Sequence, residues 1–412
     1  MRLITFVGTG TYSETTYLWR DPQGREHAYT SPYAPVASAQ ALGVEQVTAL
    51  VTEEARAKHG AALAQALQSL ATVQWAPIPS GANEDEMWAI YAALGDCLAP
   101  DEEIALDVTH GFRSLPLVVL LATAFLRVAR GLQVRHILDG AYDARDQSVQ
   151  PSRTPVFDLA PMFTLLDWAN AADRFARQGD ARDLADLLRR EIPPYQAQRA
   201  DDHARERARR LGELARSLRE VSANLLLSRP HRAMEAAVKL QPRLQAARNL
   251  LPATQPFDQL RDKISAAFAW LALARPTAPK NLWANLARQR RLIRWYIERG
   301  HYVQACTLER EWLVSWELLR RGGRNLLDQK AREAVEHDLG ALHAAAKEGR
   351  LRVQREGAPA DVDLGRLWGE VTEARNKLAH VVDYPEQSKG ASGVPQALLK
   401  QIKQCLAQIE RL

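Results

Sequence analysis

Two groups of residues in this chain have types and spacing suited to chemistry. The first lies in "EVTEARNKLAHVVDYP" (370–385), where Arg375 and His380 are five positions apart and Asn376 adjoins the arginine. An imidazole titrates near pH 6.5 and exchanges protons at neutral pH, while a guanidinium is a permanent cation whose planar fork fits phosphate oxygens. The second group is split between "GTGTY" (8–12) and "THGFRS" (109–114). Backbone N–H groups at Gly8, Gly10 and Gly111, hydroxyls of Thr9, Thr11 and Thr109, and the side chains of His110 and Arg113 are all donors an anion could use; Phe112 sits among them. Neither loop has a carboxylate or nucleophile cluster that demands catalysis. The two loops read as a sensor for a phosphorylated ligand.

The elements around them say where they stand. Residues 1 to about 160 alternate short β-branched runs with helical stretches: "RLITFV", a hairpin in "TYLWRDPQGREHAYT", "VEQVTALVT", a helix over 53–70, "TVQWAPIP", a helix over 84–98, "EIALDV", a helix over 115–130 ended by Gly131, then "LQVRHIL". This rhythm predicts an α/β Rossmann-like domain with a mostly parallel, doubly wound sheet. Right-handed crossovers gather the loops at the strands' carboxyl ends along one edge, and both unusual loops fall there. Ser114 is a plausible N-cap and Pro116 falls in the first turn of the helix it opens, an end that favours anions. The dinucleotide fingerprint fails because position 13 is Ser13, and no P-loop follows. The plainer alternative is an ordinary capped loop with His110 bonded locally.

From about residue 161 the strand runs vanish, and Leu, Ala, Arg and Glu recur at helical spacing. The spacing predicts an all-α region over 161–412, broken at Gly179, Pro193–Pro194, Arg229–Pro230, 275–281 and 356–363. The arginines of "ARERARR" (204–210) alternate with acids, as on a solvated helix face. Around Arg375 the apolar positions Leu364, Leu367, Trp368, Val371, Leu378, Val381 and Val382 follow 3–4 spacing, and Arg375 falls on that stripe. An arginine there is costly unless it is paired or reaches an interface. His380 lies about 140° further round, at 100° per residue, so a seam between two copies of the helix would let both side chains approach one cleft. The spacing alone says little: roughly one such pair arises by chance in an arginine-rich chain with ten histidines. Arg332 and His337 in "AREAVEH" are a second example, read as a surface helix. The plain alternative for Arg375 and His380 is a salt-bridged arginine and a surface histidine.

Composition sets the outer bounds. With 412 residues, 46% hydrophobic and 25% charged, the chain has room for two or three globular domains. No apolar run reaches the ~18 residues of a membrane span. "MRLITFVGTG" lacks a signal peptide's apolar length, and three scattered cysteines suit a reducing cytosol, so a cytoplasmic location without membrane partner is expected. No cysteine spacing suggests a metal site. The net charge of +5 is compatible with a nucleic-acid partner.

Taken together, "FVGTGTY" and "DVTHGFRSLP" resemble the CRISPR-associated Rossmann-fold (CARF) domain of type III ancillary proteins. Arg375-Asn376-Lys377-Leu378-Ala379-His380 resembles the R-x(4–6)-H mark of a HEPN ribonuclease, and "LLDWANAADRFARQGDA" and "YIERGHYVQACTLEREWLV" look like helices of the same family. The resemblance implies a CARF sensor over 1–160, a helical linker over 161–290 and an all-α HEPN domain over 291–412. It implies a homodimer or higher oligomer in which Gly8, Thr9, Gly10, Thr11, Thr109, His110, Gly111, Phe112 and Arg113 bind a cyclic oligoadenylate, the tetra-adenylate favoured over the hexa-adenylate. It further implies that Arg375, Asn376 and His380 of paired copies cut single-stranded RNA as an endoribonuclease in antiviral defence, with no metal or other cofactor required for catalysis. In that mechanism His380 moves protons, Arg375 holds the phosphate and Asn376 positions substrate or histidine. The rival readings are a CARF transcriptional regulator, a ring nuclease that degrades the adenylate, and a dinucleotide-binding oxidoreductase.

Overall fold

The computed structural model describes residues 1–21, 24–111, 115–247, 255–350, 361–379 and 394–412. The chain divides into two compact units, Met1–Thr164 and Leu165–Leu412.

The first unit is built on eight strands: β1 (Arg2–Val7), β2 (Thr15–Arg20), β3 (Glu26–Ser31), β4 (Gln46–Val51), β5 (Thr72–Pro77), β6 (Glu103–Asp107), β7 (Gln133–Gly140) and β8 (Ser152–Asp158). Its helices are α1 (Ala34–Leu42), α2 (Glu53–Leu67), α3 (Glu84–Asp96) and α4 (Leu115–Arg130). The strand order is β3-β2-β8-β7-β6-β1-β4-β5. From β7 to β5 every neighbouring pair is parallel; β8 then runs antiparallel to β7, β2 parallel to β8 and β3 antiparallel to β2.

The five-stranded parallel part is a doubly wound sheet, because alternate residues of β1 serve opposite cores. Ile4 and Phe6 pack with α3 and α4, and Leu3 and Val7 pack with α1 and α2. A strand covered on both faces reads as a continuous apolar run, as "LITFV" does. Chain order reverses between β1 and β6, the one place where neighbouring crossovers part to opposite faces. The carboxyl ends there leave a crevice.

Helix ends are written in local chemistry. Thr52 caps α2, its hydroxyl accepting from Ala55 N–H at 3.2 Å. Asn83 caps α3 through Glu86 N–H at 3.0 Å, and Glu86 reaches back to Ala82 N–H at 3.0 Å. Gly131 ends α4 at φ +71°, and a Cβ there would lie 2.2 Å from Asp101 Oδ1, so only glycine fits.

The second unit is helical: α5 (Ala160–Gln178), which begins before the divide, α6 (Arg182–Arg190), α7 (Tyr195–Ala200), α8 (Asp202–Leu226), α9 (Pro230–Ala246), α10 (Gln255–Ala269), α11 (Leu282–Glu298), α12 (Tyr302–Arg320), α13 (Gln329–Lys347), α14 (Asp361–Ala379) and α15 (Val394–Ile409). One continuous buried set, from Trp168 on α5 to Ile409 on α15, joins all of them but α7. On α8 the basic run is self-paired: Arg209 meets Glu206 and Glu213 at 2.7 Å, and Arg210 meets Glu206 at 2.7 Å. α13 and α14 approach closely because α14 presents Gly365 and Gly369 one turn apart. Added Cβ atoms would lie 2.6 Å from Leu342 O and 2.1 Å from the His343 ring. None of the described helices is long and apolar enough to cross a membrane.

Candidate ligand cleft and Arg375 helix

The crevice at the carboxyl edge of the first unit is a cleft of about 1070 Å³. Gly8, Thr9, Gly10 and Thr11 after β1, and Thr109, His110 and Gly111 after β6, all line it. Loops about a hundred positions apart in sequence therefore face one space. Phe112 and Arg113 lie outside the described residues, as does Ser114.

The first loop is clamped by its carbonyls. The Tyr12 hydroxyl accepts from Gly8 N–H at 2.9 Å and donates to Gly8 O at 3.0 Å. From α2, Lys58 Nζ donates to Thr9 O at 2.6 Å and His59 Nε2–H to Gly10 O at 2.8 Å. The N–H groups of Thr9, Gly10 and Thr11 bond to no other described residue. A turn whose carbonyls are held and which keeps three successive N–H groups, those of Thr9, Gly10 and Thr11, unspent is suited to an anion.

The second loop is built on Asp107, the buried last residue of β6. Its carboxylate accepts from Thr109 N–H at 3.0 Å and from the Ser38 hydroxyl at 3.2 Å. Burial raises its pKa to about 6 against those stabilising bonds. Thr109 Oγ1 accepts from Gly140 N–H at 2.8 Å, tying the loop to the end of β7. His110 Nε2 accepts from Ala34 N–H, the first N–H of α1, at 3.0 Å, so its proton sits on Nδ1. Burial, with His59 nearby, lowers its pKa to about 4. His110 is thus a neutral strut between the loop and α1, with Tyr12 packed on its ring at 4.1 Å between centroids.

The cleft has further walls. Tyr17 and Tyr142 line it, the latter under the Arg145 guanidinium at 3.9 Å, and Thr52, Glu53 and Glu54 enter from the start of α2. Of these residues only Tyr12 had a sequence signal, as the last letter of "GTGTY". Lys58 and His59 reach the first loop, and Tyr142 reaches the cleft wall, through tertiary packing.

In the second unit, Arg375 and Asn376 lie in the last turns of α14, and His380 lies outside the described residues. Leu364, Leu367, Trp368, Val371 and Ala374 are buried. At 100° per residue they and Arg375 share one arc, with Arg375 about 40° from Val371. Yet Arg375 is exposed, its Nη1 donating only to Asn376 Oδ1 at 3.2 Å among the described residues. Among the described residues, the arc is covered as far as Ala374 and exposed at Arg375. Arg332 differs from the surface residue its sequence suggests: it is largely buried, donating to Ser315 Oγ at 2.9 Å, Leu326 O at 3.0 Å and Glu311 at 2.6 Å. It staples α12 to α13, and His337 is exposed.

Residues 164–270 match the family model described as the second domain of CRISPR-associated protein MJ1674. The protein of that name from Methanocaldococcus jannaschii is 29% identical over 117 residues, a stretch that is 28% of this chain and 18% of that protein. Over that stretch the chain is similar to a CRISPR-associated protein.

Proposed function

We propose that this protein is a metal-independent endoribonuclease that cuts single-stranded RNA when a cyclic oligoadenylate occupies the cleft, as part of CRISPR antiviral defence. The observation that carries the reading is the turn at 8–12, whose carbonyls at Gly8, Thr9 and Gly10 are held while the Thr9, Gly10 and Thr11 N–H groups bond to no other described residue, on a cleft shared with the loop at 109–111. A cyclic oligoadenylate offers phosphates to such N–H groups and adenines to Tyr12 and Tyr142. The similarity of the helical segment to a CRISPR-associated protein agrees with it.

The active form is a homodimer or a larger assembly of such pairs. Leu117, Leu121, Phe125 and Val128 make an exposed apolar stripe along α4, whose Pro116 lies against Gly111 of the cleft wall. Such a face gains from burial against a second copy. At the other site, Arg375 lies on an arc that is buried earlier in α14 and, among the described residues, exposed at Arg375, which suits a seam with a second α14. There His380 exchanges the proton of the ribose 2′-OH as its oxygen attacks the adjacent phosphorus. Arg375 offsets charge on the five-coordinate phosphate, and the departing 5′-oxygen takes up a proton. No water is consumed, so the products are a 2′,3′-cyclic phosphate and a 5′-hydroxyl.

The test is end-group analysis of labelled RNA with and without cyclic tetra-adenylate. Adenylate-dependent fragments ending in a cyclic phosphate support the reading. Fragments with a 3′-hydroxyl, or cleavage indifferent to adenylate, overturn it. A ring nuclease acting through His110 is disfavoured, because its Nε2 is committed to Ala34 N–H.

A further inference from the structure

A groove in the second unit, distinct from the Arg375 site, combines cations with aromatic faces. It has a volume of about 340 Å³ and lies between the end of α10 and the outer face of α11. Trp270 forms one wall. Its Nε1–H donates to Ala267 O at 2.8 Å, which fixes the indole's orientation, and the Arg291 guanidinium lies 4.6 Å from the ring centre. Arg291 is exposed and has no carboxylate partner among the described residues. Trp295 forms the other wall, held against His301 at 5.8 Å and 14° and covered by Arg299 at 4.6 Å. Arg299 Nε is buried without a hydrogen-bond partner, and its Nη1 lies 3.2 Å from Glu298. Arg294, also on the groove, bonds Glu410 through Nε at 2.9 Å.

Of the three arginines on the groove, Arg294 and Arg299 meet Glu410 and Glu298, and Arg291 alone has no carboxylate among the described residues. The α11 sequence "LWANLARQRRLIRWYIE" carries four arginines and a single acid, Glu298. A guanidinium and an indole held together give a base both a cation and an aromatic face to stack against, while the charge serves a phosphate. An acidic peptide would satisfy the charges but leave the paired planes unused. A volume near the lower end of ~300–1,000 Å³ small-ligand sites suits a single nucleotide.

We propose that this groove is a stacking subsite for one nucleotide of single-stranded RNA, an inference that rests on the ribonuclease reading and adds a contact remote in sequence from Arg375. Arg291 over Trp270 is its platform, and Arg299 over Trp295 closes the opposite side.

The test is fluorescence anisotropy of short labelled 2′-O-methyl oligo-adenylate, which lacks the attacking hydroxyl, with cyclic tetra-adenylate present. Arg291→Ala, at an exposed position and with an unchanged thermal melt, should weaken binding about tenfold, as expected for loss of one stacked base. Arg291→Lys keeps the charge but not the plane and should remain weak, and Trp270→Ala should match Arg291→Ala. Parental affinity in Arg291→Ala, or full recovery in Arg291→Lys, overturns the subsite while leaving adenylate-dependent cleavage intact. Absence of RNA binding by the unsubstituted protein overturns both readings together.

Discussion

Asp107 and His110, three positions apart, respond to acid in opposite directions. The Asp107 carboxyl is raised to about 6 in the fold from an ordinary 3.8, so the folded state takes up a proton that the unfolded state lacks, and stability rises as pH falls from 7 to 4. His110 is lowered to about 4 from 6.5, so its share of stability is lost over the same window. The two largely offset one another in the parent. Asp107→Asn removes one arm, and relative to the parent it should lose about 3 kcal/mol between pH 7 and pH 4; urea melts at the two pH values check this. Parallel pH dependence in both proteins would show that the fold does not raise the Asp107 pKa. At the proposed nuclease site, His380→Ala should cut RNA cleavage by about 10²–10⁴-fold, the usual worth of a general acid or base. Arg375→Lys should stay inactive because an ammonium lacks the planar fork. Initial rates with a fluorogenic RNA decide both, and parental rates in either variant would remove these residues from the chemistry.

At the level of elements, α13 and α14 depend on Gly369. An alanine there would drive its Cβ into the His343 ring, at a cost of about 1–3 kcal/mol, or roughly 2–12 °C in Tm. Gly340, inside α13, has nothing within 4 Å of an added Cβ, so Gly340→Ala should stabilise by up to about 1 kcal/mol through helix propensity. Calorimetry on the two variants should show shifts of opposite sign; equal shifts would mean that close helix approach is not what Gly369 provides. The same distinction between local and tertiary signals decides what could be read in advance. The hairpin, the parallel strands and the helices at 53, 84 and 115 announce themselves through period, caps and Gly131. β8 does not, because Pro155 interrupts a short run and its ladder is made with distant partners. α1 does not, because Ala34 through Ala39 are all buried and leave no polar face to mark a helical period. In the cleft, the two loops stand out by composition, whereas Lys58 and His59 belong to an ordinary helix until the fold brings them beneath Thr9 and Gly10.

For the whole molecule, the account requires that ligand at the sheet edge bias an arrangement of two chains. A ligand can do so only through its different affinities for the two states. Phe125→Glu places a charge on the exposed α4 stripe, so sedimentation should show a shift toward single chains and adenylate-dependent cleavage should fall with it. An unchanged mass would assign the stripe to something other than self-association. The central claim is most directly tested by cleavage of a fluorogenic single-stranded RNA in EDTA, with cyclic tri-, tetra- and hexa-adenylate added separately. Rapid cleavage is expected with one ring, the tetra-adenylate favoured, and none with that ring in His380→Ala. Silence with all three, or equal cleavage by His380→Ala, would contradict it.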